Sequence, residues 1–241
     1  LFWAVVWARA YTRIIGALRQ KSWLFFETVF PLLGVVGYIY VYRAVDAPQE
    51  YIGFVVLGGA MTAFWLNVLW AMASQLYWDK EDGNLEIYVL CPAPMMAILV
   101  GMAIGGMIMS ATRAVVIIVV CSLAFGVVYS VGSIPMLIAV FLLTMIALYG
   151  MGMMFASVFL ASGREAWHIA NLLQEPIYLV SGFYFPVRAL GTFVAAAASL
   201  VPLTMGMDGM RQLLFPSNQA TGLMPVELEV LLLILLSVLF I

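Results

Sequence analysis

The stretch MMAILVGMAIGGMIMSATRAVVIIVVCSLAFGVV, residues 95–128, runs for 34 residues with Arg113 as its one charged side chain. About 20 mostly apolar residues suffice for a helix to cross the hydrocarbon core of a bilayer. A run this long predicts a single helix that starts outside the bilayer and continues through it. The whole chain shares this character: 66% of its 241 residues are hydrophobic and 9% charged, with a mean hydropathy of +1.11. Soluble domains are about half apolar and about a quarter charged. The expectation is an all-α integral membrane protein with six transmembrane helices in a single domain, residues 1–241, with no separate soluble domain.

Toward the N-terminus, a charged island, WDKEDGNLEIYVLCPAP (78–94), separates this helix from an apolar run at 51–77, read as the second span. The run SWLFFETVFPLLGVVGYIYVY (22–42) reads as the first span, with aromatics at both ends, where membrane interfaces favour them. Residues 1–20 set Phe2, Val6, Ile14 and Leu18 against Arg9, Arg13 and Arg19, which predicts an amphipathic helix lying in the headgroup region. The opening residues lack the ordered regions of a signal peptide, and the sequence leaves room for further residues at both ends.

Toward the C-terminus, YSVGSIP is a turn, 135–160 a fourth span, ASGREAW a polar break and 167–185 a fifth span. Pro186, Pro202 and Pro216 then cut the chain into pieces too short to cross, so residues 187–215 are expected to form two short re-entrant helices. Residues 225–241 begin a sixth span. With the N-terminus inside, Arg9, Arg13, Arg19, Lys21, Lys80 and Arg164 face the cytoplasm and Arg43, Arg188 and Arg211 face out, the bias that the positive-inside rule favours. A net charge of −2 provides no field for nucleic acid. Cys91 and Cys121 have no metal-ligand spacing and read as small apolar fillers.

Within the island, residues 82–91 are expected to form a short cytoplasmic helix that Pro92 stops. Leu85, Tyr88 and Val89 fall on one face of it, read as pointing away from the bilayer toward a protein partner, or else lying back on the headgroups. In the spans, Arg113 is the costliest residue, since a cation at a helix centre is disfavoured by about 3 kcal/mol. It reads as a contact for an anionic headgroup or phosphate, as an Arg snorkelling near the cytoplasmic end of a long helix, or as half of a buried ion pair with Glu175 or Glu27. His168, Asn171 and Glu175 share a polar face beside Gln174, expected inside the bundle as a proton relay or, more simply, as hydrogen bonds between helices. Gly101 with Gly105, and Gly150 with Gly152, mark places of close helix approach. The methionines at 95–109 and 145–154 read as packing or as adaptable lining for a hydrophobic cargo, with no metal site expected.

The order of these features resembles the permease subunit of an ABC-2 type exporter over nearly the whole chain. The segment EPIYLVSGFYFPVRAL…LVPLTMGMDGMRQ carries the most specific likeness: Pro176, Ser181, Gly182, Phe183, Phe185, Pro186, then Pro202, Leu203, Thr204 and Arg211. KEDGNLEIYVLCPAP is similar to that family's coupling helix, with Tyr88 where Leu is usual. The resemblance implies that Glu81, Asp82, Gly83, Leu85, Glu86, Tyr88 and Val89 engage a separate ATPase subunit, and that Phe183, Tyr184, Phe185 and Pro186 stand at an outer gate. It also implies two permease copies, as a homodimer, in the cell membrane of a prokaryote. ATP and Mg would then sit on the partner, with no cofactor on this chain. The sequence shows no G-x-x-x-x-G-K-[ST] phosphate loop, and GALRQKS (16–22) lacks its spacing. Two other readings stand beside this one. Asp79, Asp82 and Glu86 could hold Mg in a membrane phosphotransferase, though no nucleophile and base accompany them. A secondary transporter would show an internal repeat, and none is visible.

Overall fold

The computed structural model describes residues 1–216 and 222–240; the Arg164 side chain, counted above on the cytoplasmic side, lies outside the described set. All regular structure among the described residues is helical. Eleven α-helices follow one another: α1 (Phe2–Arg19), α2 (Lys21–Ala44), α3 (Gln49–Leu66), α4 (Gln75–Glu81), α5 (Asn84–Leu90), α6 (Met95–Phe125), α7 (Ile134–Ser162), α8 (Ala166–Val180), α9 (Thr192–Ala198), α10 (Pro202–Leu214) and α11 (Val226–Phe240). A π-helical segment, Asn67–Ala73, joins α3 to α4, so residues 49–81 run as one nearly continuous rod.

This rod is the centre of the bundle. Every residue from Ile52 to Trp65 is buried, which explains why the second span reads as apolar on all sides rather than on one stripe. Around it stand α2, α6, α7 and α10. The long apolar stretch is one helix, as expected: α6 has 31 residues, about 46 Å of rise against a hydrocarbon core of about 30 Å. Gly126, at φ 66°, ends it. At that end α2 and α3 both reach α6, with the Arg43 guanidinium 5.0 Å from the Phe125 ring centre and Gln49 at the start of α3 donating to the Gly126 carbonyl at 3.2 Å.

Two parts of the expected layout change. The first is the span count. Four helices or continuous rods are long and apolar enough to cross a membrane: α2, the 49–81 rod, α6 and α7. At 15 residues each, α8 and the described part of α11 rise about 22 Å, so six helices of spanning length are not found among the described residues. The expected fifth span ends early because the chain turns at Gly182, φ 71°, after Val180. The second concerns the broken section. It does form two short helices, preceded by a 3₁₀ turn at Val187–Leu190, but α9 and α10 are bent 108° to each other. Every residue of α10 from Pro202 to Gln212 is buried, so this helix lies inside the bundle against α3, α7 and α11. Backbone interrupted at membrane depth is tolerated in such a protein-lined place.

Helix α1 is amphipathic, but not along the expected division: Arg9 and Arg13 turn inward on the same side as the fully buried Val6 and Ala10, while Leu18 joins Trp3, Trp7 and Tyr11 among the exposed residues. Its buried face meets α6. A β-carbon on Gly101 would lie 2.6 Å from the Val6 carbonyl oxygen, and one on Gly105 would lie 3.0 Å from that of Ala10. Four residues on α6 match four on α1, so the two helices run side by side here. The Gly101–Gly105 face is therefore spent on α1. Gly150 admits the backbone of Phe240, and Gly152 faces Val68 and Met72 of the central rod.

Candidate functional site

The charged island folds as a helical hairpin below the bundle. Gly83 takes the left-handed conformation, φ 75°, which a glycine adopts without strain, and this turn reverses α4 into α5. Cys91 is extended and Pro92 follows, so α5 ends at Leu90, as the sequence predicts. The face prediction is only partly met. Leu85 and Tyr88 turn inward onto a small core of Leu76, Ile98, Leu99, Met102 and Ala156. Val89 points the other way, 70% exposed, together with Ile87 at 62% and Leu90 at 84%. The correction has a helical cause: residues 85 and 88 lie one turn apart on the face that α4 and α6 cover, while 87 and 90 form the opposite edge. Glu81, Asp82 and Glu86 are exposed around it.

Arg9 of α1 fixes this hairpin to the bundle, a link with no signature in sequence spacing. Its Nη2 donates to Asp79 Oδ2 at 3.0 Å, and its guanidinium lies 5.1 Å from the centre of the Tyr88 ring. Gln75 donates to the other Asp79 oxygen at 3.0 Å. Burial, with a smaller contribution from Asp79 and against the opposing pull of Arg9, holds the Tyr88 hydroxyl above its usual pKa. Asp79 is thus committed to Arg9 and Gln75 instead of standing free with Asp82 and Glu86 for a cation. No group of three or more His, Cys, Asp or Glu side chains with metal-binding geometry occurs among the described residues.

Arg113 finds its carboxylate on α2. Its Nη1 donates to Glu27 Oε2 and its Nη2 to Ser110 Oγ at 3.1 Å, and the residue is 5% exposed. Glu175, the other partner considered, is exposed on α8, as are His168 and Asn171, so that polar face is not inside this chain's bundle. Only Gln174 turns inward, accepting from Trp70 Nε1 at 2.6 Å.

The aromatic turn after α8 is anchored rather than loose. Phe183 is fully buried, edge-on to Tyr178, and its carbonyl accepts from Arg211 Nη2 at 2.9 Å. The same Nη2 donates to the Phe54 carbonyl at 3.1 Å. Arg211, assigned by charge counting to the outer surface, is 2% exposed and serves as an internal tie. Gly58 lets α3 touch the Phe183 backbone, since any β-carbon there would collide with the Phe183 carbonyl. Tyr184 stacks on Tyr38 at 3.9 Å and accepts, through its carbonyl, a hydrogen bond from the Tyr42 hydroxyl at 2.9 Å. Phe185 and Pro186 are half-buried.

Sequence reading also missed a buried acidic pair. Gln212 Nε2 lies 3.2 Å from Asp208 Oδ2 on its own helix and 3.2 Å from Glu229 Oε1 on α11. The Leu223 amide donates to Asp208 at 2.7 Å, while Glu229 Oε2 has no partner. The residues lie far apart in sequence, and no short-range pattern signals the contact.

A helical bundle with several membrane-length helices, an interrupted helix inside it and a charged hairpin at one end defines a multi-pass membrane protein. The family model of the ABC-2 type transporter matches residues 2–215. The chain belongs to that family, as a transmembrane transport subunit. No curated protein and no solved structure matches it.

Proposed function

We propose that this chain is the permease of an ATP-driven exporter, powered by a separate ATPase subunit that carries ATP and Mg. One observation carries the reading: α5 is fixed to the bundle along Leu85 and Tyr88 while presenting Ile87, Val89 and Leu90 to the outside, ringed by Glu81, Asp82 and Glu86. An apolar edge that large on a helix of seven residues calls for a protein partner. Its rigid link to α6, through the core and Arg9, is what a lever needs in order to pass motion from that partner into the spans. The outward row His168, Asn171 and Glu175 on α8 supports a second permease copy, because polar groups facing lipid gain by being covered. The basic-residue bias supports a cytoplasmic N-terminus and α5, and on this reading the protein lies in the cell membrane of a prokaryote. The fully apolar lining of a cavity of about 470 Å³ between α3, α6, α7 and α10 suits a lipid-like, glycan-linked or hydrophobic drug cargo. Phe183, Tyr184, Phe185 and Pro186 form the outer gate.

The test is reconstitution with a co-expressed ABC ATPase in proteoliposomes. ATP turnover should depend on the permease, and a cysteine at Val89 should cross-link to the ATPase. Stable association and coupled turnover with α5 cross-linked only within its own chain would remove the coupling role.

A further inference from the structure

A second cavity, of about 270 Å³, lies at the elbow between α1 and α2 and differs in kind from the apolar one. Arg13, Gln20, Trp23, Glu27, Gln75 and Arg113 line it. Two guanidinium groups and one carboxylate leave it one net positive charge. That charge is only partly spent on hydrogen bonds: Arg113 keeps a buried Nε with no partner, and the Arg13 Nη2 donates to the Ala71 carbonyl at 2.5 Å. Burial pushes the Arg13 pKa down to about 10, which leaves it charged at neutral pH and short of counter-charge. Arg9, by contrast, has a carboxylate partner of its own in Asp79. Here Glu27 pairs with Arg113, while Arg13 feels Asp79 and Glu27 less strongly than it feels burial.

The level of the cavity identifies what surrounds it. Glu27 lies six residues from the start of α2 at Lys21, about 9 Å of helix rise. Trp23 lies between them, and Arg19 and Lys21 are exposed on either side of Gln20. This is where α2 enters the membrane, the depth at which lipid phosphates lie and at which interfacial aromatics and basic residues collect. Guanidinium forks and amide donors are matched to phosphate oxygens, each able to accept more than one hydrogen bond.

We infer that this elbow cavity binds a phosphate group, supplied by the headgroup of an anionic phospholipid, held between Arg13 and Arg113 with Glu27 limiting the affinity. The inference does not depend on the export reading.

The experiment uses the purified chain in detergent, following its thermal unfolding during titration with phosphatidylglycerol, with diacylglycerol of the same acyl chains, and with inorganic phosphate. Phosphatidylglycerol should stabilise the protein and diacylglycerol should not. Arg13→Gln should weaken the apparent affinity about tenfold, and Glu27→Gln, which raises the net charge to two, should tighten it about tenfold. The opposite signs keep the test decisive even where one variant folds poorly. Inorganic phosphate giving the same response to both variants, with no further gain from the lipid, would keep the phosphate site and overturn the headgroup as its source. Equal stabilisation by phosphatidylglycerol and diacylglycerol, or an affinity that neither substitution changes, would overturn the site itself.

Discussion

The Arg9 guanidinium holds Asp79 at 3.0 Å while standing over the Tyr88 ring, so one side chain from the first helix ties the end of the central rod to α5. Arg9→Gln removes both contacts. The pair is partly exposed and worth about 1 kcal/mol in stability, so thermal stability should fall only slightly. Coupling should suffer more: ATP turnover by the partner should persist while transport falls several-fold. Equal loss of both would assign Arg9 to folding alone.

Ile87→Asp and Val89→Asp place charges on the mostly exposed edge of α5. Unfolding temperature should stay unchanged, and co-purification with the ATPase should be lost. Leu85→Asp is different, because Leu85 packs against the Leu76 and Ile98 core. It should cost about 2 kcal/mol, seen as a lower melting temperature in the isolated permease.

Arg113→Gln leaves Glu27 without its cation, and Glu27→Gln leaves a buried cation without its anion. Each should destabilise by about 2 kcal/mol, below the value for a fully buried pair because the Glu27 side chain is 35% exposed. The double variant should cost less than the sum of the two, which a double-mutant cycle on melting data would measure. Glu175→Gln should leave stability unchanged.

Gly58→Ala forces a methyl group into the Phe183 carbonyl and should cost about 3 kcal/mol or abolish folding, whereas Gly34→Ala and Gly37→Ala, with open space beside them, should be neutral or slightly stabilising. Glu229→Gln supplies an amide donor to a place where Oε2 now has none, beside a second buried carboxyl group. Its melting temperature should hold or rise; a large fall would show that the carboxyl group itself is required.

Phe193, near the start of α9, and Leu200, in the bend between α9 and α10, are 86% and 70% exposed. Cysteines placed there singly, with Cys91 and Cys121 replaced, should react with an impermeant thiol reagent from outside the cell. Labelling from the cytoplasmic side alone would invert the orientation. Labelling from outside that ignores ATP trapped on the partner would leave the orientation standing and remove the gate.

Much of this architecture is legible in the sequence for a simple reason. Membrane burial demands long apolar runs, and turn chemistry shows wherever they stop: residues 95–125 had to be helix, Gly83 and Pro92 had to bound α5, and Pro186 and Pro202 had to break the chain. Local pattern also marked Arg113 as costly and the Gly101–Gly105 face as a contact. Local pattern carries no information about partners distant in the chain. Both Glu27 and Glu175 were admissible for Arg113, and only the packing of α2 against α6 selected Glu27. Helical periodicity put Leu85 and Val89 on one stripe, but the covering by α4 and α6 is narrower than that stripe and divides it between core and solvent. Arg211, counted as an outer charge, became an internal tie because two backbone carbonyls, from Phe54 and Phe183, converge on it from segments 129 residues apart. The membrane class, the long helices and the proline breaks follow from residue pattern alone, because exposing backbone and polar groups to hydrocarbon is costly, whereas the early end of α8, before Gly182, does not. Tertiary structure alone decided which buried charge meets which counter-charge and which edge of α5 stays free, since those depend on distances between helices that no residue spacing encodes.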